Sequence, residues 1–212
     1  MIVFRDPAEV PPGFGPSVVV IGKFDGVHSG HRAVIDRARV KAVSLGATVV
    51  AVTFDRNPLA LLAPDKCPEN LIGVNQKVRL LADTGVDAVL VLRFDEDLAS
   101  LAADEFASLV LVDALAAEAV LVGADFRFGR GGVGTAQTLT AFGLSHGFEV
   151  DVVHDVRAAD RGRRVSSTWI RELLSSGDVV GARKLLGRDH SVVGEVVHGL
   201  KRGREIGYPT AN

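Results

Sequence analysis

The chain has 212 residues, 47% hydrophobic, 24% charged and 6% aromatic, a composition that packs one core, or a core with an appendage, and excludes a disordered or collagen-like chain. With 24 Lys and Arg against 26 Asp and Glu the net charge is −2, so no global field favours nucleic acid or an anionic membrane as partner. A lone Cys67 excludes an intramolecular disulfide and a cysteine-based zinc site, and it suits a reducing compartment. Charge is nonetheless uneven. Residues 157–212 hold 11 Lys and Arg against 6 Asp and Glu, which suggests an anion bound near that end. Met1–Pro7 shows no basic start followed by an apolar stretch, and charge interrupts each later apolar run. The expectation is a cytoplasmic protein.

In chain order, Val18–Ile21 is a β-branched run ended by Gly22 and followed by a glycine-rich loop, and His31–Leu45 has helical composition up to Gly46. That is a strand, a loop and a helix. The rhythm repeats with a strand at Thr48–Phe54, a helix at Gln76–Thr84 and a strand at Ala88–Leu92. A helix at Ala102–Leu115 follows, with Ser100 as its N-cap and Asp104 and Glu105 in the first turn, where the helix dipole favours negative charge. Ala119–Val122 is the fourth strand, Thr135–His146 a helix and Phe148–Val153 the fifth strand. Continuous apolar strands alternating with helices predict an α/β fold with a doubly wound parallel sheet.

Beyond Val153 the pattern changes. Arg157–Arg164 is a polar, Arg-rich connection, Ser166–Thr168 opens a short helix running to Leu174, and Asp178 caps another that ends at Leu186 before Gly187. The first domain is placed at 1–187. From Ser191 the run Val192–Val197 reads as a strand. About twenty residues with one strand cannot form a core, so 188–212 is expected to be the opening fragment of a second domain.

In an open α/β sheet, ligands bind beyond the carboxyl ends of the strands. The loop Gly22-Lys23-Phe24-Asp25-Gly26-Val27-His28-Ser29-Gly30-His31 lies there, at the mouth of a helix whose backbone N–H groups attract phosphate. His28 and His31 can donate hydrogen bonds to phosphoryl oxygens, and no side chain in the loop is an obvious nucleophile. The chemistry implied is phosphoryl-type transfer by positioning and electrostatic stabilisation. The plain alternative is that both histidines cap the helix or bind a metal. Asp55 and Asn57 in Thr53–Pro58 stand at the same edge and could orient a polar ligand or form an Asx turn before Pro58. Gly123–Gly129 brings an acid, a base and two aromatics to that edge, the aromatics reading more readily as core. Ser166-Ser167-Thr168 with Arg171 one turn on suits a triphosphate or simple N-capping. Gly129-Arg130-Gly131-Gly132-Val133-Gly134 matches G-x-G-x-x-G, but it follows the fourth strand at a distance and has a histidine at position 154 where an acid is required. It is therefore read as a mobile loop, a lid or a solvated turn, and not as a dinucleotide fingerprint.

Taken together, G-x-F-D-G-x-H-x-G-H at 22–31, T-F-D-x-x-P at 53–58, G-x-D-F-R-F-G at 123–129 and S-S-T-x-I-R at 166–171 resemble the bacterial bifunctional riboflavin kinase/FMN adenylyltransferase family. The resemblance spans residues 16–212. It implies a nucleotidyltransferase fold of the HxGH type that makes FAD and pyrophosphate from FMN and ATP with Mg²⁺. By that resemblance His28, His31 and Arg171 are catalytic. Gly22, Phe24, Asp25, Gly26, Gly30, Asp125, Arg127, Ser167 and Thr168 bind the nucleotide, and Asp55 and Asn57 lie on the FMN side. Asn57 stands where the family often has histidine, and Lys23 where asparagine is frequent. The tail Gly203–Asn212 resembles the opening of a riboflavin kinase β-barrel, whose P-T-A-N motif contacts ATP and Mg²⁺. Thr210 and Asn212 would be its metal-site residues in a complete domain, and the full-length protein would also phosphorylate riboflavin. The partners implied are small molecules, with neither nucleic acid nor membrane. Two other readings compete: a relative with another acceptor, such as nicotinate mononucleotide or phosphopantetheine, and a non-enzymatic flavin- or nucleotide-binding regulator.

Overall fold

A computed structural model describes residues 1–153, 162–197, 199 and 202–208. Six parallel strands form one sheet: β1 Ile2–Phe4, β2 Ser17–Ile21, β3 Thr48–Phe54, β4 Ala88–Leu92, β5 Ala117–Gly123 and β8 Glu149–Val153, in the order β1-β4-β3-β2-β5-β8. From β2 the chain moves outward through β3 to β4 and then returns to the far side of β2 as β5 and β8. The reversal leaves a crevice between the carboxyl ends of β2 and β5. A small antiparallel ribbon, β6 Arg127–Phe128 with β7 Gly134–Thr135, stands beyond the end of β5.

The helices cover both faces because successive strand residues point to opposite sides. Val18, Val20, Ala51, Val89 and Leu121 pack on one face with α1 Ser29–Leu45, α3 Val74–Ala82, α7 Ser167–Ser175 and α8 Val179–Leu186. Val19, Val50, Leu90, Val120 and Val122 pack on the other with α5 Ala103–Ala107 and α6 Ala136–His146. This is the doubly wound architecture expected, and β3 and β4 have the predicted bounds. The cap chemistry holds as well: Gly46 and Gly187 end α1 and α8 in the left-handed conformation, and Asp178 accepts the Gly181 N–H at the start of α8; Gly147 ends α6 in the same way.

Several expectations are corrected. Strand β1 was not anticipated; its three residues sit at the sheet edge and are defined by pairing with β4. Two short helices, α2 Leu59–Leu62 and α4 Glu96–Ser100, fill connections for which no element was expected. The helix predicted at Gln76–Thr84 is α3, starting at Val74 after Gly73 and ending at Ala82. Ser100 is not the cap of α5 but the last residue of α4, its hydroxyl donating to the Asp97 carbonyl. The N-cap of α5 is Ala102, whose backbone N–H is bonded by Glu105 at 2.7 Å, and Ser108–Ala114 continues as a wider π-wound stretch. The strand predicted at Val192–Val197 is absent: 191–197 pair with no strand among the described residues. Val192 and Val196 are 87% and 73% exposed, since β-branched residues favour a strand only where a ladder partner exists. A short helix, α9 Arg202–Glu205, follows. No helix among the described residues is long and apolar enough to cross a membrane.

Candidate active site

The loop after β2 opens at the crevice, and it is held from several sides. The Gly22 N–H donates to the Val52 carbonyl at 3.1 Å, and the Thr53 hydroxyl donates to the Lys23 carbonyl at 3.2 Å, so the end of β3 fixes the start of the loop. Phe24 and Val27 adopt φ of 48° and 39°, conformations that cost non-glycine residues on the order of 1 kcal/mol or more. Both side chains are buried, and this packing holds the backbone in place. Gly26 has φ of 83°, and a Cβ there would lie 2.9 Å from Leu71 Cδ1, so the turn needs glycine for both conformation and space.

His28 and His31 stack with ring centroids 3.6 Å apart at 16°, while Phe24 and His31 meet in a T-shaped arrangement at 5.2 Å. His28 is the N-cap of α1, and its Nδ1 accepts the His31 backbone N–H at 3.3 Å. A Cβ on Gly30 would lie 3.1 Å from the His28 ring; glycine is what admits the imidazole to the helix mouth. The capping reading is thus correct for His28, but it leaves His31 unexplained. His31 Nδ1 is buried with no hydrogen-bond partner among the described residues. Burial, followed by the charges of Arg164 and Arg188, lowers the His28 pKa to about 4. Burial, then His28, Lys77, Arg164 and Lys23, hold His31 well below its ordinary value. Both rings are therefore neutral at pH 7, each with one N–H to donate, in a surround that is positive overall.

Ser167 and Arg171 are brought to the same loop across more than 130 residues of chain. Ser166 caps α7, its hydroxyl accepting the Trp169 N–H, and the next hydroxyl, Ser167 Oγ, donates to the Asp25 carbonyl at 2.8 Å. The Asp25 carboxylate accepts the Leu71 and Ile72 N–H groups at 3.0 and 3.3 Å and forms an ion pair with Arg171. Arg171 Nε donates to the Glu69 carbonyl at 2.6 Å. Asp25 is thus an organiser of the loop, and Arg171 joins α7 to it. Thr168 is exposed in the first turn of α7.

The remaining predicted residues stand at the same edge of the sheet. Asp125 accepts from Arg164 at 3.0 and 3.4 Å, and that bond holds its carboxyl below the usual range against the opposing effect of burial. Arg127 is exposed on β6; Phe128 is buried in the core, as expected, and the half-buried Phe126 stacks on it at 5.3 Å. Gly129–Gly134 forms the turn between β6 and β7, far in sequence from the first strand. Asp55 Oδ1 accepts the Phe94 N–H at 2.9 Å, and Asn57 Oδ1 accepts the Leu59 N–H at 3.2 Å, the Asx turn anticipated before Pro58. Thr210 and Asn212 lie outside the described residues. Among the described residues no three His, Cys, Asp or Glu side chains gather as a metal set.

Two residues were missed by sequence reasoning. Arg188 donates to the Gly26 and Val27 carbonyls at 2.7 and 3.3 Å, clamping the signature loop from beyond α8. Lys77 on α3 is 7% exposed, and its ammonium donates to the Phe54 carbonyl at 2.8 Å and to Thr53 Oγ1 at 3.3 Å. A signal for Lys77 existed: it shares the apolar stripe of its helix with Val74 and Leu81, at spacings of three and four. Arg188 had no such signal, since it follows a helix cap in a polar stretch.

Comparison with known proteins gives the chain its family. A family profile described as FAD synthetase matches residues 12–169, and one described as riboflavin kinase matches 186–212. The chain is 41% identical over 195 residues to the bifunctional riboflavin kinase/FMN adenylyltransferase of Escherichia coli K12, covering 92% of this chain and 62% of that one. It is 36% identical over 197 residues to the Bacillus subtilis protein of the same name, covering 92% and 61%. The chain thus spans about three fifths of the length of the curated relatives it matches. A crystal structure from Streptococcus pneumoniae, named for a macrolide-efflux protein, superposes with a TM-score of 0.81 at 34% identity, over 100% of this chain and 67% of that one.

Proposed function

Because the chain belongs to the FAD synthetase family, we propose that it transfers AMP from ATP to FMN, releasing pyrophosphate and forming FAD. The observation that carries this reading is the stacked, neutral pair His28 and His31 at the mouth of α1, in the crevice where the sheet reverses. An oxygen of the FMN phosphate attacks the α-phosphorus of ATP, the bridging α–β bond breaks, and pyrophosphate leaves with the electron pair. Nothing is oxidised or reduced. Charge grows on the non-bridging and leaving oxygens, where the imidazole N–H groups and the α1 dipole would stabilise it. Neutral imidazoles suit that task, because they donate without requiring a proton from solvent.

In this reading Arg171, tethered to Asp25, sets the edge of the phosphate site, with Ser167 and Thr168 beside it, while Asp125 and Arg127 face the adenosine and Asp55 and Asn57 the flavin. Gly22, Phe24, Gly26 and Gly30 shape the loop so that phosphate can approach its backbone. Magnesium enters with ATP as part of the substrate. A second domain beginning near residue 188 would carry riboflavin phosphorylation in the full-length protein, although Arg188, His190 and Ser191 bond back to the first. Incubation with Mg²⁺-ATP and a panel of FMN, riboflavin, nicotinate mononucleotide and phosphopantetheine tests the reading. FAD from FMN alone is the expected product, and residues 1–212 are expected to yield no FMN from riboflavin. Adenylylation of another acceptor in place of FMN would overturn the assignment.

A further inference from the structure

Lys77 occupies an unusual place. Its helix, α3, buries only two side chains, Lys77 and Leu81, and the lysine's ammonium reaches the carboxyl end of β3. Among the described residues no carboxylate lies within 4.0 Å of its ammonium. A buried cation held by neutral oxygens, with no carboxylate in contact, carries a desolvation cost that an apolar side chain of similar size would avoid. Stability does not account for this residue.

What the ammonium touches suggests its use. It donates to the last carbonyl of β3, at Phe54, and to the hydroxyl of Thr53. Thr53 is fully buried and in turn donates to the Lys23 carbonyl. A continuous polar path therefore runs from α3 through the end of β3 into the loop that carries the two histidines. Asp25 in the loop and Asp55 after β3 favour the charged form from a distance, burial opposes it, and His31 on α1 feels the charge.

We propose that Lys77 is a positioning residue of the transfer site, whose buried ammonium locks the carboxyl end of β3 to the signature loop and so holds His28 and His31 in register. The inference rests on the adenylyl-transfer reading for its catalytic consequence, but its physical content, a coupling between one ammonium and one loop, does not. Burial brings the Lys77 pKa down to about 8. Around that pH deprotonation removes the charge that strengthens the bonds to Phe54 and Thr53, and so weakens the lock while leaving two N–H donors.

The test uses the unliganded 212-residue chain first. In NMR titrations from pH 7 to 9 the backbone amides of Phe24, Asp25 and His31 are expected to shift with one midpoint near 8, shared with the Lys77 ε-carbon. Loop resonances that stay flat while Lys77 titrates would overturn the proposal. In Lys77→Met that transition is expected to vanish from the loop. Turnover of FMN to FAD is expected to fall about 10- to 100-fold with the KM for ATP changed by less than about threefold. An alkaline decline in kcat near pH 8 should be present in the parent and lost in the variant. A folded Lys77→Met protein with the parent's turnover and pH profile would also overturn it. If the parent itself forms no FAD, the reaction assignment fails, and the resonance titration decides the role of Lys77 alone.

Discussion

Two glycine-rich segments leave the same edge of the sheet, the loop after β2 and the ribbon after β5, and they use glycine differently. In the first, Gly26 and Gly30 sit where a Cβ would meet Leu71 and the His28 ring, and the loop is tied down through Asp25, bonded to Leu71 and Arg171, and through Arg188 on the Gly26 and Val27 carbonyls. In the second, the base is clamped: Gly129 lies against the Ala103 backbone and the Arg130 N–H donates to the Leu101 carbonyl at 2.7 Å. The tip is open, with Val133 70% exposed and free space around Gly131. Glycine makes room for tertiary contacts along the first segment, whereas in the second it does so at the base, at Gly129, and only turns the chain at the tip. Preorganisation for chemistry comes from those contacts, not from glycine content.

The largest effect should separate the two segments by activity. His28→Ala and His31→Ala are each expected to remain folded and to lose FAD formation by about 10²- to 10³-fold, because a group aimed at developing charge contributes roughly 3 kcal/mol. Val133→Ala at the ribbon tip should stay within about twofold of the parent. Near-normal turnover in both histidine variants would remove the mechanism.

Acid should sharpen the same contrast. His28 is neutral in both folded and unfolded chains above its ordinary pKa of 6.5. Below it, the unfolded chain takes up a proton that the folded one refuses until about pH 4. Stability is thus lost as pH falls through that window, by about 3 kcal/mol at most from this residue. His31 acts with the same sign. Urea unfolding at pH 7.0, 5.5 and 4.5 should show this loss in the parent and a shallower slope in His28→Ala.

Backbone substitutions give the next contrast. Gly26→Ala combines a positive φ with a contact inside 3.0 Å and is expected to destabilise by about 2 kcal/mol or more. Gly131→Ala, also at positive φ but in open space, should cost about 1 kcal/mol. Equal losses in urea unfolding would show that conformation, and not crowding, sets the signature loop. Smallest of all, Arg171→Ala should lower kcat/KM by about tenfold through its link to Asp25, whereas Arg183→Ala, whose side chain is 66% exposed beside Asp189, should change it by less than about twofold.

Much of this was legible without coordinates. Strands β3 and β4 were found to the residue, because unbroken apolar runs bounded by polar or turn residues leave little freedom in a sheet buried on both faces. The caps at Gly46, Asp178 and Gly187 were readable for a similar reason, since they depend on residues within one turn. The two histidines and the S-S-T-x-I-R start of α7 were also found, as motifs contiguous in the chain. Edge strand β1 and the fate of Val192–Val197 were not, because a strand exists only with its partner, and composition does not name the partner.

The alternating α/β order, the helix ends and the position of His28 and His31 at a helix mouth follow from interactions between residues a few positions apart. Packing across the fold is what sets Asp25 opposite Arg171 from 146 positions away, clamps Gly26 with Arg188 from 162 and brings Lys77 to the end of β3. These pairings arise when burial removes water and each polar group must find a partner from whatever element packs against it. Local patterns do not encode which element that will be.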